Sequence, residues 1–221
     1  MKLFLSALGK FSLGVCLVGG LLFASAGRFD FWQGWLLMGA LFAPMLMAGL
    51  VMIFKNPELL KKRLQAKEKR KTQDLVVKLS GLMFVVGFLV AGFNFRFGWY
   101  TLPSFVSIIA AVLLLVAYGL YVEVMRENAY LSRTIEVQEG QKVVDSGLYA
   151  IVRHPMYAVT LLLFCVMPLV LGSIVAFPIF LCYPFLMVKR IQDEEKLLEE
   201  ELEGYREYKK KVKYRLIPYI W

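Results

Sequence analysis

The chain is poor in the residues that most often mark a soluble metalloprotein or a disulfide framework. It has one histidine, His154, and three cysteines, Cys16, Cys165 and Cys182, within its 221 residues. The cysteines all fall inside apolar runs with no CxxC or CxxH spacing, which argues against a metal site and against a disulfide-stapled fold. Charge is scarce as well, at 19% against ~25% in an average globular domain. Internal repeats are lacking. What takes the place of charge is apolar surface: 59% of residues are hydrophobic and the mean hydropathy is +0.61. That is more than a soluble interior of this size can hide, so the composition reads as a membrane protein.

Four long apolar runs, at about residues 3–26, 31–54, 75–94 and 102–125, each reach the ~20 residues that cross a bilayer core. The first is longer than the apolar region of a cleaved signal peptide and more spans follow it, so it is expected to be a retained span. The net charge of +9 is unevenly spread: residues 55–74 hold eight basic and three acidic residues, and the connections around Arg28 and Arg96 hold one basic residue each. By the positive-inside rule, both termini and both large loops are expected to be cytoplasmic. This accounts for most of the charge and leaves a nucleic-acid partner without support. Trp32, Trp35, Trp99 and Tyr100 at run ends suit interfacial anchoring or simple packing.

Apolar character resumes over 157–188 but is divided by Gly172-Ser173 into arms of about 15 residues, too short for straight spans. The expectation is a helical hairpin that starts and ends on the cytoplasmic side, with Pro168, Pro178 and Pro184 bending its arms. Beyond it, Ile191, Leu198, Leu202, Tyr205 and Val212 form an apolar stripe, predicting an amphipathic helix broken at Gly204. The closing segment 215–221 is apolar enough to dock. The predicted fold is thus all-α: a polytopic membrane bundle of four spans in 1–125, then a region 126–221 with a helical hairpin and an amphipathic cytoplasmic helix.

Chemistry-bearing residues gather at the mouth of the hairpin. The stretch 126–153 alternates around Glu139-Gly140 like a short β-hairpin and leads to Arg153-His154-Pro155-Met156-Tyr157. Pro155 suits the first turn of a helix. A lone histidine is either structural or functional, and residue type does not decide between them. At the hairpin's other end Arg190 and Glu194, four apart, share a helical face and return to the level of His154. Two readings stand side by side: interfacial anchors joined by a salt bridge, or a site where a carboxylate holds a cation or hydroxyls and an arginine holds an anion.

These segments resemble the isoprenylcysteine carboxyl methyltransferase family of integral membrane enzymes. The matching residues are Gln138, Gln141-Lys142-Val143-Val144, Gly147-Leu148-Tyr149, Arg153-His154-Pro155-Met156-Tyr157, Arg190-Ile191, Glu194-Glu195, Tyr205-Arg206-Glu207-Tyr208 and Arg215-Leu216-Ile217-Pro218. Asn56-Pro57-Glu58-Leu59-Leu60 looks like a segment common in bacterial members. The resemblance implies a multi-pass methyltransferase (of the inner membrane, if bacterial) that uses S-adenosyl-L-methionine from a cytoplasm-facing pocket. Its lipophilic substrate would enter from the bilayer. It implies cofactor contacts at Gln138, Gln141, Lys142, Val143, Val144, Tyr149, His154, Pro155, Met156, Tyr157 and Glu194, with Glu195 as the competitor to Glu194. Arg190 would match the arginine that orients a substrate carboxylate, the acceptor being an isoprenylcysteine or a small lipid-like acid. Val159 replaces a glycine frequent in the family, which implies a narrower cofactor pocket. Membrane sterol reductases share a similar Arg-His-Pro-x-Tyr element, so an NADPH oxidoreductase is the alternative, beside a non-catalytic membrane scaffold.

Overall fold

The computed structural model describes residues 2–64, 71–132 and 134–221; the middle of the basic stretch, 65–70, and Arg133 in the polar loop lie outside the described residues. Four helices are long and apolar enough to cross a membrane: α1 (Lys2–Ala26), α2 (Trp32–Lys55), α4 (Lys71–Phe97) and α5 (Ser104–Glu127). The protein is therefore an integral membrane protein. Its helices stop where the sequence supplies a left-handed residue, Gly27 (φ 67°) after α1 and Gly98 (φ 62°) after α4. Short α3 (Pro57–Leu64) starts on a cap: the Asn56 side chain accepts from Leu59 N–H at 3.1 Å, and Pro57 stands where a missing N–H costs nothing. The Lys10 ammonium donates to Leu64 O at 2.5 Å, so the start of α1 and the end of α3 share one end of the bundle.

Packing is close because small residues line the crossings. A β-carbon on Gly92 of α4 would land on the Ser25 hydroxyl of α1 and lie 2.7 Å from Leu22 O. Ala110, Ala111, Leu114 and Ala117 of α5 are buried in the core. Against α5 lies α6 (Pro155–Val170), the most extensive helix pairing in the molecule. The turn after α6 is fastened to the α4–α5 connection: Leu102 N–H donates to Gly172 O at 2.9 Å, and Thr101 and Ser173 form an isolated bridge. The 16 residues of α6 rise about 24 Å and the 24 of α5 about 36 Å. With their far ends tied together, the start of α6 is sunk by about 12 Å from the end of α5.

The hairpin differs from expectation in where its prolines act. Pro155 opens α6, Pro178 lies in the first turn of α7 (Phe177–Phe180), and Pro184 is the third residue of α8 (Cys182–Glu201). In a first turn the missing N–H has no partner to lose, so these prolines start helices. Only Pro168 stands inside a hairpin helix. The end of the second arm and the first part of the amphipathic stripe, Ile191 and Leu198, share one helix, α8, which ends before Gly204 (φ 81°); Tyr205 lies in α9 (Tyr205–Lys211).

The hairpin expected around Glu139-Gly140 has no strands; among the described residues no β-strand occurs. The reason lies in the side chains. Gln141 accepts from Gln138 N–H at 2.9 Å, the Gln138 amide donates to Tyr130 O, and the Tyr130 hydroxyl donates to Gly140 O at 3.1 Å. Local side-chain bonds satisfy the backbone in place of a ladder. The C-terminal segment docks in part: Arg153 and His154 N–H donate to Tyr214 O and Arg215 O, each at 2.9 Å, and Leu216 is buried. Tyr219 and Ile220 remain exposed.

Candidate functional site

Glu194 and Glu195 are neighbours on α8, about 100° apart around the helix, and they meet opposite surroundings. Glu195 is 2% exposed and is surrounded by basic side chains. Arg153 Nε donates to it at 2.7 Å, Arg215 Nε at 3.0 Å, His154 Nε2 lies at 3.3 Å and Lys209 Nζ at 3.6 Å. Burial by itself would raise this carboxyl, but the hydrogen bonds from His154 and Arg153 hold it well below the usual carboxylate range. Arg153 also donates to the carbonyls of Val212 and Lys213, at 2.7 and 2.8 Å. The cluster locks the start of α6, α8 and the C-terminal segment together.

Glu194 belongs to a different network. The Tyr157 hydroxyl donates to Glu194 Oε2 at 2.5 Å and accepts from Arg190 Nε at 3.0 Å. Arg190 Nη1 donates to Gln73 Oε1 at 3.2 Å, and Gln73 Nε2 donates to Asp193 Oδ2 at 2.8 Å. Gln73, fully buried at the foot of α4, thus grips two residues one turn apart on α8. Sequence reasoning missed it, because a glutamine just before an apolar run carries no periodicity and its partner is 117 positions away.

Around this network lies a cavity of about 530 Å³, within the 300–1,000 Å³ range of small-molecule sites. Its polar end is lined by the loop residues Tyr130, Ser132, Thr134, Glu136, Gln141 and Lys142. Its apolar end lies between helices at Val77, Gly81 and Phe84 of α4, Phe164 of α6, and Tyr183 and Met187 of α8. Tyr157, Arg190 and Glu194 line the same space.

Of the residues singled out from sequence, Gln141, Lys142, Val143, Val144, Tyr149, His154, Met156, Tyr157, Arg190 and Glu194 line this cavity. Gln138 and Pro155 do not; Gln138 braces the loop turn and Pro155 is buried at the head of α6. Val159 is packed into the core away from the lining, so it does not narrow the cavity. Tyr149 is placed by a tight device: Gly147 (φ 54°) lies so close to Glu127 that a β-carbon would overlap the carboxylate, which accepts from Leu148 N–H at 2.9 Å. The Asn128 amide then donates to the Tyr149 hydroxyl at 3.0 Å, and the Tyr208 hydroxyl to Tyr149 O at 2.7 Å. Burial pushes the Tyr149 phenol far up, so it stays protonated.

The fold and cavity define a class: a helical integral membrane protein whose internal site joins a polar, loop-lined end to an apolar, helix-lined one. Residues 108–200, from within α5 to the end of α8, match the Isoprenylcysteine carboxyl methyltransferase (ICMT) family. A curated relative, Delta(14)-sterol reductase TM7SF2 of Mus musculus, is 34% identical over 91 residues, 40% of this chain and 22% of that protein's length. Gln73, Tyr205, Tyr208 and Arg215 lie outside the family match.

Proposed function

We propose that this protein is an S-adenosylmethionine-dependent methyltransferase that modifies a lipophilic acceptor, an isoprenylcysteine carboxylate or a small lipid-like acid, reached from the bilayer. The observation that carries this reading is the continuity of one cavity from polar loop residues to apolar mid-helix residues, with Glu194, Tyr157 and Arg190 on its wall. A cofactor with an ammonium, a carboxylate and ribose hydroxyls needs acceptors and donors together. The cavity offers the Glu194 carboxylate, the Gln141 amide, Lys142, and the hydroxyls of Tyr130, Ser132 and Thr134. The residues present fit the group.

S-adenosylmethionine, when bound, supplies an electrophilic methyl group on a sulfonium. The protein's part is to hold and to exclude. Glu194 accepts hydrogen bonds from the cofactor's donors. Arg190, fixed by Tyr157 and Gln73, faces the acceptor's anion. The apolar wall from Phe84 to Met187 keeps water from the reacting oxygen. An ionised carboxylate needs no general base, so rate comes from alignment and desolvation. Both termini and the cavity's polar end are assigned to the cytoplasmic side by the basic sequence 55–74, and α3, near its start, shares one end of the bundle with the start of α1.

Purified protein in detergent, returned to vesicles with a lipid extract and methyl-labelled S-adenosylmethionine, is expected to label an organic-soluble acid. Absence of labelled lipid, and of labelled peptide when a prenyl-cysteine peptide is added to the same vesicles, would refute the reaction. The sterol reductase relative favours a second reading, an NADPH oxidoreductase. Saturable binding of NADPH without binding of S-adenosylhomocysteine would establish that reading instead.

A further inference from the structure

Among the described residues, three buried side-chain polar atoms have no hydrogen-bond partner: Gln33 Oε1, Ser107 Oγ and the Tyr205 hydroxyl. A buried polar group left unpaired is costly, so each calls for an account. Gln33 and Ser107 sit together beside Gly172 at the far end of the bundle, away from the cavity. Tyr205 is different. It is 4% exposed, its ring packs among Leu202, Tyr208, Val212, Val143 and Leu198, and it lines the cavity.

The nearby carboxylates do not take its proton. Glu195 is committed to Arg153, His154, Arg215 and Lys209, and Glu194 Oε2 accepts from Tyr157. Burial, then the charges of Glu195 and Glu194, raise the phenol far above its ordinary value, so it is a donor at every working pH. A cofactor group received between this donor and the Glu194 acceptor must accept from one and donate to the other. An ammonium only donates; a carboxylate only accepts, and Glu194 repels it. A ribose hydroxyl does both at one atom.

Resting on the proposed cofactor, we infer that Tyr205 is a further binding residue, its hydroxyl donating to a ribose hydroxyl that in turn donates to Glu194. The matched region 108–200 ends before Tyr205, and the resemblance in sequence, which does include Tyr205, gives it no role in cofactor contact.

The test uses the full chain in detergent, with S-adenosylhomocysteine and its 2′-deoxy and 3′-deoxy forms as probes in calorimetric titration. Tyr205→Phe is expected to weaken S-adenosylhomocysteine by about five- to tenfold with the melting temperature of the free protein unchanged or raised. One deoxy probe should lose a larger factor on the parent protein, because it gives up the bonds to both Tyr205 and Glu194, and a smaller factor on Tyr205→Phe, where only the Glu194 bond remains to be lost. Equal affinity of Tyr205→Phe and parent, or additive losses with both deoxy probes, would overturn the assignment; the second result would indicate a contact elsewhere, such as the adenine edge. A lowered melting temperature of the free variant would also overturn it, marking the hydroxyl as structural. A parent protein that binds no S-adenosylhomocysteine would fail at the earlier step, the proposed cofactor itself.

Discussion

Two acidic residues one peptide bond apart divide the work of α8. Glu195 is enclosed by Arg153, Arg215, Lys209 and the His154 ring and has no open side, whereas Glu194 shares a tyrosine hydroxyl with Arg190 and keeps a face toward the cavity. Both are carboxylates on one helix, so charge does not separate them. Enclosure does. A buried charge with every lone pair answered holds elements in register, and a charge that still faces empty space is available to a ligand.

The comparison breaks most visibly at Glu195. Glu195→Gln leaves Arg153 buried without its counter-ion, a change that costs about 3–5 kcal/mol. Thermal unfolding in detergent should show a large drop or no folded protein. The same cluster sets an acid limit. Since the folded Glu195 carboxyl lies below its unfolded value of about 4.3, its contribution is complete above that value and fades as pH falls toward the folded one. The melting temperature should be level from about pH 8 to about 5 and fall below that, with a shallower acid limb in Glu195→Gln.

On the other side of the comparison, Arg190→Ala should lower methyl transfer to lipid extract by about a hundredfold, the scale of losing one orienting group. Cofactor binding should be retained; equal loss of both would make Arg190 a structural residue. Glu194→Gln should weaken S-adenosylhomocysteine by about tenfold while the melting temperature stays put. Gln73→Leu sharpens the contrast from outside the family match. It removes the Gln73 bonds to Arg190 Nη1 and to Asp193 together, so turnover at saturating cofactor should fall by about fivefold, one hydrogen bond's worth. An unchanged rate would show that Gln73 does not position Arg190.

Much of the scaffold is legible in the residues because bilayer thickness acts on sequence directly. The runs at 3–26 and 31–54 became Lys2–Ala26 and Trp32–Lys55, and Gly204 broke the stripe as its conformational freedom suggested. The Arg190–Glu194 spacing placed both on one wall, as helical period requires. Other features were out of reach. Alternation at 135–144 mimicked a hairpin, since periodicity does not record that Gln138, Gln141 and Tyr130 bond across the turn. Gln73 comes to Arg190 and Asp193, and Arg215 to Glu195, from distant segments, and no local pattern encodes such meetings. The choice between Glu194 and Glu195 rested on helix rotation and on the docking of 212–216 against 152–154.

The most direct test of the account is calorimetric titration of the full chain in detergent with S-adenosylhomocysteine, run in parallel on the parent protein, Glu194→Gln and Arg190→Ala. The account predicts saturable binding to the parent, about tenfold weaker binding to Glu194→Gln and near-parent binding to Arg190→Ala. No saturable binding to the parent, or identical affinity in parent and Glu194→Gln, would contradict it.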